Sequence, residues 1–219
     1  MANQSKVKYN APSEGFFDIP GVVYRGETGN YRVFERMTPA MTQDKLAELY
    51  QGEKPKGNPH PMDSVLYFAI SLAGYNLRNE SPEGAEHLRQ FLRESFRKYP
   101  NTLSRIIYNS SEKDKIIHNY RTSDEYALDS EVVGQDGWIT KIPDKQILES
   151  LLGTDNVDKI NKVSNWINGT NGYLWRLNSK PENKEERVVR FGADDNWFYL
   201  YCNGNPHDEC PAFRVLRIE

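Results

Sequence analysis

Tyr173-Leu174-Trp175-Arg176-Leu177, Arg187-Val188-Val189-Arg190-Phe191, Trp197-Phe198-Tyr199-Leu200-Tyr201-Cys202 and Phe213-Arg214-Val215-Leu216-Arg217-Ile218 close the chain as four short β-patterned stretches. Polar turn sequences at 180–185, 193–196 and 203–211 separate them. Short strands in series with polar turns predict an antiparallel meander. The third stretch decides most, because a strand turns alternate side chains to opposite faces. If Trp197, Tyr199 and Tyr201 share one face, Phe198 and Leu200 share the other, and only one of the two faces can be buried.

Upstream of the meander the periodicity is helical. Thr42 can cap a helix to about residue 50 through its hydroxyl, with Leu46 and Leu49 inward. Asp63 or Ser64 opens a second, apolar around most of its circumference (Val65, Leu66, Phe68, Ala69, Leu72, Ala73) and therefore central. Ser81-Pro82-Glu83 opens a third, with Ala85, Leu88, Leu92, Phe96 and Tyr99 at helical spacing. Two further helices are expected at 144–152 and 155–168. Strand patterns at 21–25 and 31–36 flank a turn at 26–30. The apolar runs 106–108 and 116–118 suit a hairpin, and 131–133 and 138–142 read as strands. Residues 1–13 read as a loose polar tail, and 14–219 as one α+β domain with helices first and sheet last.

The chain has 219 residues, 28 basic and 31 acidic side chains and a formal net charge of -3. A hydrophobic fraction of 37% with 12% aromatics gives enough apolar material for a core. The near-balanced charge lacks the basic stripe of a nucleic-acid binder. The longest apolar stretch, 65–75, is about half of what a spanning helix needs. Residues 1–12 lack the apolar core of a secretory signal, so a cytoplasmic protein without membrane insertion is expected, with display on a virion or cell surface also open.

Few residues suggest chemistry. Cys202, His207, Asp208 and Cys210 share one segment, and thiolate plus imidazole suits zinc, but the spacing matches no common zinc module. A Cys202–Cys210 disulfide and two unrelated thiols are the other readings. Tyr24-Arg25-Gly26 is similar to the first motif of ADP-ribosyltransferases, but the elements that should follow are missing. The basic face of the 81–99 helix with Arg105 could meet phosphates, though a solvated helix face is the plainer reading. His60, His87 and His118 assemble no triad. No metal or other cofactor is expected. The informative segment is 194–212, where Asp194, Asp195, Asn196, Phe198, Tyr199, Tyr201, Asn203, Asn205, His207 and Asp208 mix aromatic contact area with adaptable hydrogen bonding.

The order of motifs carries a resemblance. Arg36-Met37-Thr38-Pro39-Ala40-Met41-Thr42, leading into Leu46-Ala47-Glu48-Leu49, resembles the strand-then-helix opening of the formylglycine-generating-enzyme branch of the C-type lectin fold. His60-Pro61-Met62 before a helix resembles that branch's His-Pro segment. Gly172-Tyr173-Leu174-Trp175 and Arg187-Val188-Val189-Arg190-Phe191-Gly192 resemble its Gly-x-x-Trp and Arg-Val-x-Arg-Gly-Gly strands, and Phe213-Arg214-Val215-Leu216-Arg217 its terminal strand. Within this fold the chain is most similar to the variable proteins of diversity-generating retroelements, including those of archaea and their viruses. In those proteins a reverse transcriptase copies a template repeat with adenine mutagenesis into the 3′ part of the target gene.

The resemblance implies a C-type-lectin-like domain with a variable region at about 190–215, Trp197 a fixed scaffold position, and the ten residues named at 194–208 contacting ligand. It implies that Trp175, Val189, Phe191, Leu200, Phe213 and Val215 pack constantly beneath. The expected partner is a protein or other cell-surface ligand, not nucleic acid, and the expected function is binding rather than catalysis. The enzymes of the branch carry two cysteines four residues apart, unlike Cys202 and Cys210. An oxidase using those two residues, thiol- or metal-dependent, is the alternative. The calcium motif of sugar-binding lectins is missing.

Overall fold

A computed structural model describes residues 6–10 and 15–218. In chain order the elements are β1 (Lys8–Asn10), β2 (Phe16–Tyr24), β3 (Glu27–Phe34), α1 (Gln43–Glu53), α2 (Ser64–Asn76), α3 (Pro82–Phe96), β4 (Asn101–Tyr108), β5 (Asp114–His118), β6 (Tyr126–Ser130), β7 (Gly137–Trp138), α4 (Gln146–Leu152), α5 (Val157–Asn168), β8 (Gly172–Trp175), β9 (Glu185–Ala193), β10 (Phe198–Gly204) and β11 (Arg214–Arg217). They build an α+β fold with two sheets, ordered β1-β2-β3-β11 and β6-β5-β4-β9-β10-β8-β7. No described helix is long and apolar enough to cross a membrane.

The helix starts follow the capping logic of their sequences. Thr42 Oγ1 accepts from the Lys45 amide and Asp63 Oδ1 from the Leu66 amide. Ser81 instead donates its hydroxyl to the Val7 carbonyl, tying α3 to the segment that leads into β1. Helix α2 is buried on nearly every side, as its uninterrupted apolar surface demands. Its Tyr67 ring stacks between Phe191 (5.5 Å) and Phe213 (4.8 Å), joining a core that includes Phe96 and Phe198. The Tyr67 hydroxyl donates to the Asn101 carbonyl and accepts from the Phe213 amide, so this buried phenol leaves no polar atom unpaired.

Several expectations are corrected. The last four strands do not form one meander: β8 runs parallel to β10, β9 lies antiparallel on the other side of β10, and β11 leaves to pair with β3. Helices do not simply precede sheet, since the strands nearest the two ends share the four-stranded sheet. The turn expected at 26–30 is tighter. Arg25 and Gly26 take φ of 53° and 79°, the left-handed pair that a two-residue hairpin turn requires, and β3 absorbs the rest. The hairpin at 103–120 is present as β4 and β5. The strand expected at 131–133 is a loop, because buried Asp114 Oδ2 takes the Val132 and Val133 amides that a ladder would use. Only Trp138 of 138–142 is in a strand, and a 3₁₀ turn follows. The tail at 1–13 falls partly outside the described residues, while Lys8–Asn10 pairs with β2.

Candidate functional site

Strand β10 realises the alternation in its sequence. Phe198, Leu200, Cys202 and Gly204 are buried, while Tyr199, Tyr201 and Asn203 face outward and are half-buried. The parallel partner β8 places Tyr173 beside Tyr199 and Trp175 beside Tyr201, and β7 sets Trp138 beside Tyr173. The same register that buries Leu174 turns these rings outward. Trp138 stacks on Trp197 at 4.8 Å and 8°, and Tyr173 stands edge-on to Trp197 at 4.7 Å. Trp175 contacts Tyr199 and Tyr201, and Tyr99 reaches both tyrosines from the opposite side. Seven aromatic side chains thus form one contiguous outer surface on the sheet.

Both ends of that surface are braced. At one end Asp194 Oδ1 accepts the Asn196 and Trp197 amides, and Oδ2 accepts the Tyr199 hydroxyl at 2.8 Å. This Asx turn reverses the chain between β9 and β10. Burial and the Asp194 carboxylate both raise the Tyr199 hydroxyl pKa, burial contributing most. Asn168, from the end of α5, donates to the carbonyls of Asp194 and Trp197. At the other end the Arg190 guanidinium donates to Asn101 Oδ1, the Asn205 carbonyl and Asp208 Oδ2. Gly204 leaves room for it, since a Cβ there would lie 2.8 Å from Arg190 Nε.

The ten residues expected to contact ligand therefore divide. Tyr199, Tyr201 and Asn203 lie on the outer face, and Asp195, Asn196, Asn205, His207 and Asp208 are exposed in the two flanking loops. Asp195 pairs with Arg97 at 2.7 Å and Asn203 accepts from Arg187. Asp194 is an architectural residue with both carboxylate oxygens engaged. Phe198 is a correction: only 5% exposed, it packs on Phe96 and Phe191 and offers no contact surface. Trp175 is the converse. Expected beneath the face, it is 40% exposed because its register with Tyr201 turns it outward. Val189, Phe191, Leu200, Phe213 and Val215 are buried. Trp138, Tyr173 and Tyr99 lie outside the set that the sequence points to. The alternation of 172–175 signals Tyr173, whereas helical spacing puts Tyr99 with the apolar residues of the third helix; α3 ends at Phe96 and Tyr99 leaves it with a φ of 48°.

The thiols do not form a reactive pair. Both are free, and Cys202 is fully buried, which pushes its pKa well above the usual range, the reverse of an activated nucleophile. Among the described residues no three His, Cys, Asp or Glu side chains converge to hold a metal. Arg105 is no phosphate contact, being buried against Gln43, Tyr120 and Glu186.

A second feature is a cleft of about 460 Å³ lined by Tyr24, Arg25, Tyr31, Tyr50, Lys54 and His60 among others. Tyr24 donates to buried Asp63 at 2.7 Å and accepts from Asn119. Burial, then the Asp63 charge, hold the Tyr24 phenol protonated. The Tyr24-Arg25-Gly26 motif is accounted for as this hydrogen bond followed by the hairpin turn. His60 Nδ1 is bonded to the Pro61 carbonyl and its ring lies edge-on to Tyr50. On the same wall Tyr50 donates its hydroxyl to Asp124 and accepts from Lys54.

No family model, no curated protein and no solved structure matches the chain.

Proposed function

We propose that the protein is a ligand-binding protein whose contact surface is the outer face of β7, β8, β10 and β9 together with the loops at 194–197 and 204–211. The observation that carries this reading is the contiguous set of half-exposed Trp and Tyr side chains mounted on paired strands. Large rigid aromatic rings supply contact area at low conformational-entropy cost, and binding surfaces concentrate their affinity in such residues. The inner positions of β10 fill the core, so its outward residues Tyr199, Tyr201 and Asn203 can change without disturbing that packing.

The finer reading is a C-type-lectin-like variable protein of a diversity-generating retroelement, acting on a protein or other cell-surface ligand. The spatial convergence of the resembling motifs supports it. His60 and Val215 exchange backbone hydrogen bonds, Met41 and Cys210 do the same, and Thr38 bonds Ala212 through both its amide and its hydroxyl. The segments at 36–42, 60–62 and 212–217 thus meet in one place. The oxidase alternative would need its chemistry at Cys210 without an accessible partner thiolate at Cys202.

Sequencing the DNA around the gene tests the reading. The expected result is a near-copy of the codons for 187–217 beside a reverse-transcriptase frame. Its differences should fall at adenines in the outward codons of Tyr199, Tyr201, Asn203, Asn205 and His207 and spare Phe198, Leu200 and Gly204. A locus without such a copy removes the diversification and leaves the aromatic binding face to be tested alone.

A further inference from the structure

Four of the outward rings close a circuit. Tyr199 is 6.3 Å from Trp175, Trp175 is 6.1 Å from Tyr201, Tyr201 is 6.4 Å from Tyr99, and Tyr99 is 6.2 Å from Tyr199. The planes turn around it, with interplanar angles of 74°, 40°, 81° and 29° in the same order. Rings from β8, β10 and the segment before β4 thus surround one spot above β10. Neighbouring centroids 6.1–6.4 Å apart put every ring within the ~6 Å over which a cation at their centre is attracted to an aromatic ring.

Among the described residues no cation of the chain sits over these rings. The cation–ring contacts of the described residues use Phe16, Phe34, Tyr50, Tyr75, Tyr120 and Tyr126, and none uses these four rings. The Asp194 carboxylate holds the Tyr199 hydroxyl and acts on Tyr99 as well. Arg190, register partner of Tyr201, is committed to Asn101 and Asp208. Two features fix the walls. Tyr99 adopts a left-handed φ of 48°, and Gly192 has no side chain where the Tyr99 ring lies. A non-glycine residue in that backbone region is strained, and such strain clusters at binding sites.

We infer that Tyr99, Trp175, Tyr199 and Tyr201 form an aromatic cage for a quaternary ammonium group. This rests on the outer face being the binding surface and names the chemistry it takes. A trimethylammonium group suits the cage because it spreads its charge over an apolar surface. It gains the attraction of the rings without the heavy dehydration of a primary ammonium.

The test is a titration with choline, tetramethylammonium chloride, sodium chloride and the neutral isostere 3,3-dimethylbutanol, read from the indole N–H resonance of Trp175. Saturable shifts with the two quaternary cations, and much weaker ones with the isostere and the salt, are expected. Tyr201→Ala should weaken choline binding by about tenfold or more, while Tyr201→Phe keeps it. Thermal melts of both variants guard against misfolding. A trimethyllysine peptide that binds more tightly than choline assigns the ammonium to a protein, and equal affinity assigns it to a small molecule. No saturable shift, equal binding of the isostere, or full binding by folded Tyr201→Ala overturns the cage. An adenine-patterned copy at the locus would still stand after that failure, so the two proposals fail separately.

Discussion

The ring of Tyr99 occupies the space that Gly192 leaves by having no side chain: a Cβ added there would come within 2.3 Å of Tyr99 Cε1. Because Gly192 is the register partner of Tyr199, this one vacancy brings a residue from outside the sheet into the aromatic surface. Gly192→Ala is expected to push Tyr99 away and to destabilise the fold by about 1–3 kcal/mol, the usual cost of overpacking. Urea midpoints measure it. The double variant Gly192→Ala with Tyr99→Ala should recover part of the loss, because the clash is gone. Strict additivity would mean the two residues do not interact.

Neighbouring positions on β10 should respond in opposite ways. Phe198 packs against Phe96 and Phe191 in the core, so Phe198→Ala is expected to cost about 3–5 kcal/mol of stability. Tyr201 faces outward, so Tyr201→Ala should cost no more than about 1 kcal/mol while removing a wall of the binding surface. Equal losses in chemical denaturation would mean that the two faces of the strand are not distinguished as the structure has them.

That contrast also marks how far the sequence could be read. Period-2 alternation at 197–202 separates Phe198 and Leu200 from Tyr199 and Tyr201 without any coordinates. It does not say which strand lies alongside, so Trp175 reads as core although its register with Tyr201 turns it outward. The helices at 43–53, 64–76 and 82–96 are legible because periodicity and caps are local. The parallel pairing of β8 with β10, and the departure of β11 to β3, are decided by long-range packing and leave no local trace. Edge strand β6 is not legible for a related reason, since Ala127, Leu128 and Asp129 are all exposed and show no alternation. Tyr99 is the extreme case, because its role depends on a glycine that is distant in the chain.

Acid should weaken the protein through two histidines. His118 Nε2 lies 2.8 Å from the Ser150 carbonyl, which can only accept, so the neutral ring carries its proton there and Nδ1 accepts from Ser104 Oγ. Burial lowers the His118 pKa, against the opposing pull of the Asp63 charge, and burial lowers His60 as well. A depressed folded-state value means the unfolded chain binds more protons as pH falls through the ordinary histidine value of about 6.5. The stabilisation is therefore full above that value and is progressively lost below it. Unfolding free energy should be smaller at about pH 5 than at pH 7, and NMR titration should place both rings below the ordinary value. A folded-state pKa above that value for His118 would reverse the sign.

The two thiols should differ in access rather than form a pair. Cys202 is fully buried on the inner face of β10, and burial raises its pKa far more than the Arg176 charge lowers it. Cys210 is half-buried beside Met41, and burial and Asp208 raise its pKa while Arg190 opposes them. Alkylation needs the thiolate and access together. Iodoacetamide at alkaline pH is expected to label Cys210 in the native protein, with Cys202 reacting only at the rate of global opening. Mass spectrometry of timed digests separates the two sites. Cys202→Ser should be worse tolerated than Cys202→Ala, because an unpaired buried hydroxyl costs about 1–3 kcal/mol. Rapid native labelling of Cys202, or a bond between the two sulfurs in air-oxidised protein, would break this arrangement and bring the thiol chemistry of the oxidase alternative back into play.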